Sequence, residues 1–312
     1  MREIVLPPNE SPKKVETFLK KEFPTGYVRK LFRKHGVRIN GRRAKEDDLI
    51  RAGDRIQLYI PFEATGKTPA SSARGPRIET IFEDESLLVI NKPAGLVCHP
   101  TKGDEYSSLI SRIRLYLGAG SSPHLINRLD RETSGLVLVA RHAEAAAHLR
   151  KLWETRQVAK EYLAIVHGRV PFGKTIVNAP IGPDIDSAVA IKDAGVETGA
   201  PAETHVFPLR HLRYENQELS LLRVMILTGR KHQIRIHLAH LGHPVIGDKL
   251  YGGDENIYLR FALGTITEED WRGLITRNQA LHAFRLTIPW FGTQRTFTCA
   301  AESWFQKIAA YK

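Results

Sequence analysis

Cysteine is scarce: Cys98 and Cys299 are the two in a chain of 312 residues. So sparse a pair excludes the disulfide-framed secreted scaffolds, and two reduced thiols in a cytoplasmic protein are expected. No apolar run approaches the roughly 20 residues that cross a bilayer. The opening MREIVLPPNE lacks the basic-then-apolar order of a secretory signal. Nucleotide-cradling loops are missing as well. Gly118-Ala119-Gly120 runs into Ser121, Ser122 and Pro123, so the third glycine of a dinucleotide fingerprint is absent; no P-loop or Gly-x-Ser-x-Gly elbow occurs either. Neither an internal repeat nor a long low-complexity segment is present.

What is there is a globular composition, 42% hydrophobic and 26% charged, with length for one sizeable core and a small accessory domain. The net charge of +12 is unevenly spread, because residues 1–77 carry 18 Lys+Arg against 9 Asp+Glu. A basic end on a nearly neutral body points to a polyanion, with nucleic acid the first candidate. Acidic membrane would need an amphipathic helix with a large exposed apolar face. Ser11-Pro12 predicts a helix start, with Val15, Phe18 and Leu19 on its apolar face. A second helix is expected from Thr25 to Gly36. On it Val28, Leu31 and Phe32 point one way, and Arg29, Lys30, Arg33 and Lys34 almost opposite. Cationic faces are often merely solvated, but residues 29–45 hold eight Lys or Arg and no acid, which favours phosphate contact. Asn40-Gly41 predicts a hairpin turn after the strand VRI, and RIQLYIP (55–61) a closing strand. GKTPASSARGPR (66–77) reads as a linker. The expected organisation is a basic module at 1–65, a linker at 66–77 and a larger domain at 78–312.

In the larger domain the segments SLLVINKP, GLVLVAR, KEYLAIVHG, TIVNAPI, ETHVFPL, LSLLRVMIL, LHAFRLTIP and QRTFTC read as strands. Helical patterns fall around 107–117, 142–157 and 230–241 and at the carboxyl end. Irregular alternation argues against a doubly wound parallel sheet. An α+β fold with a mixed, largely antiparallel sheet flanked by helices is expected. Its His-rich stretch, with His232, His237, His240 and His243, has no Cys or carboxylate beside it to complete a ligand set, and Lys231 and Arg235 would repel a cation; no metal is expected. In NRLDRETSGL (127–136), Asp130 stands between Arg128 and Arg131 ahead of the strand GLVLVA. An aspartate before a glycine is ordinarily a turn former. Flanking guanidinium groups supply a reason for an ionised carboxylate there even when desolvated, as a nucleophile or electrostatic stabiliser requires.

This segment resembles the RLDxxTSGL signature of the RluA-like RNA pseudouridine synthases. KPAGLVCHP (92–100), KEYLAIVHG (160–168), TGRKHQIRIHLAHLGHPVIGDKLYG (228–252) and QALHA (279–283) resemble further motifs of that family in the same order. About residues 12–61 are similar to the small RNA-binding module of the ribosomal protein S-four family. The resemblance implies a pseudouridine-synthase-like fold and isomerisation of uridines in structured RNA without a cofactor. Ribosomal RNA is favoured over transfer RNA, and no obligate protein partner or membrane is implied. Asp130 then corresponds to the essential carboxylate, Tyr162 to the tyrosine that stacks on the base and can take or relay the C5 proton, and Arg235 to the arginine that pairs with the aspartate. Arg128 can contact the backbone or fill the gap left by an extruded uridine, because an in-stack base cannot present C1′ and C5 to one carboxylate. Asn127 departs from the histidine of many members and cannot become a cation. Three other readings stand beside this one: a non-catalytic RNA-binding protein of the same fold, a uridine methyltransferase using Cys98, and a metal hydrolase on the His-rich stretch.

Overall fold

Alternating apolar residues of the larger domain close into one twisted sheet. A computed structural model of the chain describes residues 2–7, 11–23, 25–59, 78–100, 108–118 and 121–311. Eight strands run in the order Thr175–Asn178, Glu203–Tyr214, Gln217–Ile226, Ala159–His167, Leu281–Trp290, Ser134–Ala140, Leu87–Lys92 and Glu79–Glu83. Thr293–Thr298 adds to Leu281–Trp290, and His124–Leu125 to Ser134–Ala140. Ser134–Ala140 pairs in parallel with Leu281–Trp290; the other described pairings are antiparallel. All eight strand-like segments form strands, in the mixed, largely antiparallel sheet that their pattern predicts. Glu79–Glu83, the hairpin of Ile181–Pro183 with Asp193–Gly195, and the helices Asn256–Leu263 and Glu268–Leu274 are additions the pattern does not announce.

Period-two alternation gives each face its own core. Leu88, Ile90, Val137 and Val139 pack with Ile113, Ile234 and Phe305, on helices Leu109–Leu117, Gln233–His240 and Ser303–Ala309. Leu87, Val89, Leu136 and Leu138 turn the other way, onto helix Ala143–Glu154. On the first face one row crosses four strands: Tyr162 is opposite Ala283, Ala283 opposite Gly135, and Gly135 opposite Lys92. A register shift between Glu161 and Tyr162 is the kind of local irregularity that re-aims a side chain beside a site. The middle of the row is small for a reason. Gly135 has φ +113°, and a Cβ there would lie 2.3 Å from the Ala283 carbonyl oxygen.

The basic module combines two helices, Val15–Glu22 and Thr25–Arg33, with a four-stranded sheet ordered Arg2–Val5, Arg55–Leu58, Val37–Ile39 and Arg42–Arg43. Val28, Leu31 and Phe32 are buried as expected, while Arg29 and Arg33 are exposed. Asn40 (φ 50°) and Gly41 (φ 82°) make the predicted hairpin turn. The helix start expected at Ser11-Pro12 is corrected: Lys13–Lys14 pairs with Leu49–Ile50, and the helix begins at Val15. Strand pairing there overrides a local capping signal. The second helix stops at Arg33, short of Gly36, with His35 in the left-handed region and the Gly36 N–H closing onto Leu31 O at 2.8 Å. The proposed linker, 66–77, lies outside the described residues. The module docks on the larger domain: Arg38 Nη2 donates to Ser187 O (2.6 Å), Arg43 Nη2 to Asp184 O (2.7 Å), and Ala190 packs on the module's core.

Gly135→Ala tests the close approach. Its Cβ has backbone, a hard neighbour, in its way, and its φ is unfavourable for alanine, so a loss of about 3 kcal/mol is expected. Urea unfolding measures it; an unchanged midpoint would show that the two strands can part without cost.

Candidate active site

The segment Asn127–Thr133 leads into the strand Ser134–Ala140 and is pinned at several points. Asn127 Nδ2 donates to Leu136 O (3.1 Å) and its Oδ1 accepts from Leu138 N (2.8 Å). This two-point clasp on a strand needs no charge, so the departure from histidine leaves the segment anchored. Lys92, fully buried, donates from Nζ to Pro93 O (2.9 Å), Leu96 O (2.9 Å) and Arg131 O (3.1 Å), tying the KPAG turn to the residue after Asp130. Burial pushes the Lys92 ammonium down to about 8, against the opposing pull of neighbouring acids. Ser134 Oγ meets His282 Nδ1 at 2.9 Å, and Thr133 Oγ1 accepts from the Gln279 amide.

Arg235 comes from the buried helix Gln233–His240 and carries the central contact. It donates from Nε and Nη2 to Asp248 (2.6 and 2.8 Å) and from Nη1 to Asp130 Oδ2 (2.9 Å). The Tyr251 ring lies 4.9 Å from its guanidinium carbon. The Asp248 side chain is 0% exposed, that of Asp130 30%. Asp248 Oδ1 also accepts the Leu250 and Tyr251 N–H groups, at 2.9 and 3.1 Å. Burial works to raise both carboxyls, but their opposite charges and hydrogen bonds outweigh it and hold both below the ordinary carboxylate range. His232 approaches Asp130 to 3.9 Å. Burial first, then Arg235, pushes its imidazole down to about 4, so at pH 7 it is neutral and the contact is polar rather than ionic. Arg235 is therefore the cation that keeps Asp130 ionised. Two carboxylates against one guanidinium leave the cluster a single negative charge, presented by Asp130.

Asp130 opens into a cleft of about 500 Å³, also lined by Arg128, His232, Arg235, Tyr258 and Phe261. Arg128 is exposed there. Tyr162 is 8% exposed and does not line the cleft. Burial, then the Asp130 charge, raises its phenol, which stays protonated at neutral pH. Of the four helix cations, Arg29 and Arg33 face solvent, the Lys30 side chain lies outside what is described, and Lys34 is half-buried. Burial first, then Lys231, Arg33 and Arg128, lowers the ammonium of Lys34, the residue after the end of the helix. The histidines disperse: His237 bonds Thr204 Oγ1 and Ala179 O, and His243 bonds His167 O. Cys98 is buried with its thiol on Leu129 O at 3.4 Å. Asp248, Tyr251, Tyr258, Phe261 and Lys92 are not singled out by the sequence, and His232 stands out there only as a candidate metal ligand. A signal for Asp248 existed, since an arginine between two isoleucines needs a buried acid.

A family model described as RNA pseudouridylate synthase matches residues 86–240. The chain is 36% identical over 259 residues to an uncharacterized RNA pseudouridine synthase of Chloroflexus aurantiacus, covering 80% of this chain and 79% of that protein. The chain belongs to the RNA pseudouridylate synthase family. Its reaction is the isomerisation of uridine to pseudouridine in RNA. Another relative in the family, from Xanthomonas campestris, is 33% identical over 91% of this chain and 83% of its own length, and is named ribosomal large subunit pseudouridine synthase D. Among solved structures, human RNA Pseudouridylate Synthase Domain Containing 1 superposes with a TM-score of 0.59 at 26% identity, over 74% of this chain and 86% of that one. For a pseudouridine synthase, the hard step is departure of a base from a sugar carbon.

Asp248→Asn would leave Arg235 buried with Asp130 as its one carboxylate. A loss of about 3–5 kcal/mol is expected at neutral pH. Because the folded-state carboxyl of Asp248 is depressed, its contribution is present above the unfolded value of about 4 and disappears as pH falls through the lower folded value. The gap between wild type and variant in urea unfolding should thus hold from pH 8 to 5 and narrow below 4. A gap that widens in acid would contradict the ion-pair account.

Proposed function

We propose that Asp130 is the catalytic carboxylate for isomerising specific uridines of structured RNA, ribosomal RNA above all. One observation carries this: Asp130 is the cleft-facing member of the carboxylate pair that shares buried Arg235. In the reaction the C1′–N1 bond breaks, the uracil turns, and C1′ bonds C5; the C5 proton leaves and N1 ends protonated. Asp130 can attack C1′, stabilise a cationic sugar or remove a C2′ proton, and its negative charge serves all three. Arg235 keeps Asp130 charged and fixed. Tyr162 is buried away from the cleft lining, so stacking on the base requires the cleft to open toward it, and its protonated phenol takes the C5 proton only if it first gives up its own. Arg128 holds the backbone or fills the vacated stack.

The module, 1–65, serves as an RNA-binding domain like that of ribosomal protein S-four, joined by 66–77 to the catalytic domain, 78–312. Arg29 and Arg33 supply phosphate contacts, with Lys30 and Lys34 in the same role. Support for ribosomal RNA comes from the relatives of Xanthomonas campestris and Pseudomonas aeruginosa, 33% and 34% identical, both named for the large ribosomal subunit. A ribosomal substrate implies the cytoplasm; no described helix is long and apolar enough to cross a membrane.

Tritium release from ribosomal RNA labelled at uridine C5 tests the mechanism. Asp130→Ala should cut the rate by about 1000-fold or more, with RNA affinity kept; unchanged release would sink the assignment. For the module, Arg29→Ala with Arg33→Ala should weaken binding across RNA sequences and lower the slope of log affinity against log salt by roughly two. A changed modification site with affinity intact would contradict that role.

A further inference from the structure

The helices Asn256–Leu263 and Glu268–Leu274 give the cleft a wall that the Asp130 chemistry does not use. Tyr258 and Phe261 stand three residues apart, on one helix face, and both line the cleft. Phe261 is 37% exposed. A single exposed phenylalanine on a convex surface would mean little. Here the ring is concave-side and held. The Lys249 ammonium sits 4.9 Å from its centroid, and Trp271 meets it edge-on at 6.1 Å and 85°. Lys249 is itself fixed, by Glu132 (2.8 and 3.0 Å) and Arg277 O (2.6 Å), and Arg277 covers the Trp271 ring at 4.2 Å. Arg260 staples the two helices through Asp270 (2.8 and 2.5 Å), and a Thr267/Asp270 capping box starts the second. The side chain that is open to the cleft is therefore already ordered, which removes much of the entropy cost of binding a ligand on it.

A phenyl ring has nothing to offer a phosphate, whereas every nucleobase has a π face. We propose that Phe261, backed by Trp271 and flanked by Tyr258, is a second base-binding subsite, on which a nucleobase adjacent to the reacting uridine stacks. This rests on the Asp130 cleft being the site of isomerisation. The extruded uridine carries its neighbours to the cleft mouth, and stacking there compensates one of them for its lost partner in the RNA. Such a subsite contributes affinity without reading hydrogen-bond edges.

The test compares wild type with Phe261→Ala, Phe261→Leu and Phe261→Tyr, each checked for an unchanged urea-unfolding midpoint. With a ten-nucleotide oligouridylate followed by fluorescence anisotropy, the alanine and leucine variants should bind about 10-fold more weakly, and tyrosine like wild type. The salt slope should be the same for all four proteins, since no phosphate contact is lost. With C5-tritiated ribosomal RNA, KM should rise about as much while kcat stays within about two-fold. Leucine binding as well as phenylalanine would overturn the proposal, because filling volume would then suffice; so would a changed salt slope or a fall in kcat alone. If alanine unfolds the wall, the leucine-against-tyrosine comparison decides. Asp130→Ala assayed in parallel separates the two readings: it should lose release and keep oligouridylate binding, and retained release there would fail the mechanism while the Phe261 binding arm still reads.

Discussion

A guanidinium taken out of water must be paired, and the way Arg235 is paired organises the site. Its bidentate partner Asp248 is fully buried and takes two backbone N–H groups besides. That carboxylate alone would neutralise Arg235. The third contact, to Asp130, is therefore an excess carboxylate held beside a cation that is already compensated. Removing solvent from an acid ordinarily favours its neutral form; here the guanidinium reverses the outcome, and the site keeps a partly desolvated negative charge facing the cleft.

The sheet of the larger domain is tied across its middle by the buried row Tyr162, Ala283, Gly135 and Lys92. Four segments far apart in the chain meet in it, so the motifs that look unrelated in sequence are neighbours across strands. The small pair in the middle brings two strands close. The large residues at the ends have opposite duties: Tyr162 stays apolar and buried, while Lys92 spreads its donors over three carbonyls, one of them Arg131 O. A neutral amine has one donor fewer, so the lowered Lys92 value makes this tie weaker in alkali, where the turn beside Asp130 loses part of its anchor.

How much of this was legible beforehand follows from the range of the interactions. Strand alternation is local, and the eight segments became strands. The apolar face of Val28, Leu31 and Phe32 is equally local, and all three are buried. The Ser11-Pro12 start failed because pairing of Lys13–Lys14 with Leu49–Ile50, a contact across more than thirty residues, outweighs a cap. Asp130 and Arg235 were named, but their partnership came through family resemblance. Asp248 is thirteen residues beyond Arg235, and nothing in its local surroundings separates it from a turn former. His232 was weighed as a metal ligand, whereas its left-handed backbone (φ 57°) and its bond to the Tyr251 hydroxyl (3.0 Å) give it a packing partner instead. The two added helices are eight and seven residues long and between them bury only Leu274 fully, so neither stands out from its flanking turns, and Phe261 is missed with them.

The basic tract divides its cations between two duties. Residues 29–45 look like a uniform phosphate track, yet Arg38 and Arg43 point inward, to the carbonyls of Ser187 and Asp184. Only a structure could divide the tract, because a guanidinium satisfies a carbonyl as readily as a phosphate. The inward pair seats the module on the 184–192 loop, which Glu255 fastens from behind through Ser187, Ala188 and Lys192. Seated there, the module brings Lys34 within electrostatic reach of Lys231 and Arg128. The cleft itself is mixed in charge: Asp130 and Glu132 line it together with Arg128, Arg131, Arg235 and Lys249. Four cations against two acids make that lining net positive, a balance that suits an anionic partner.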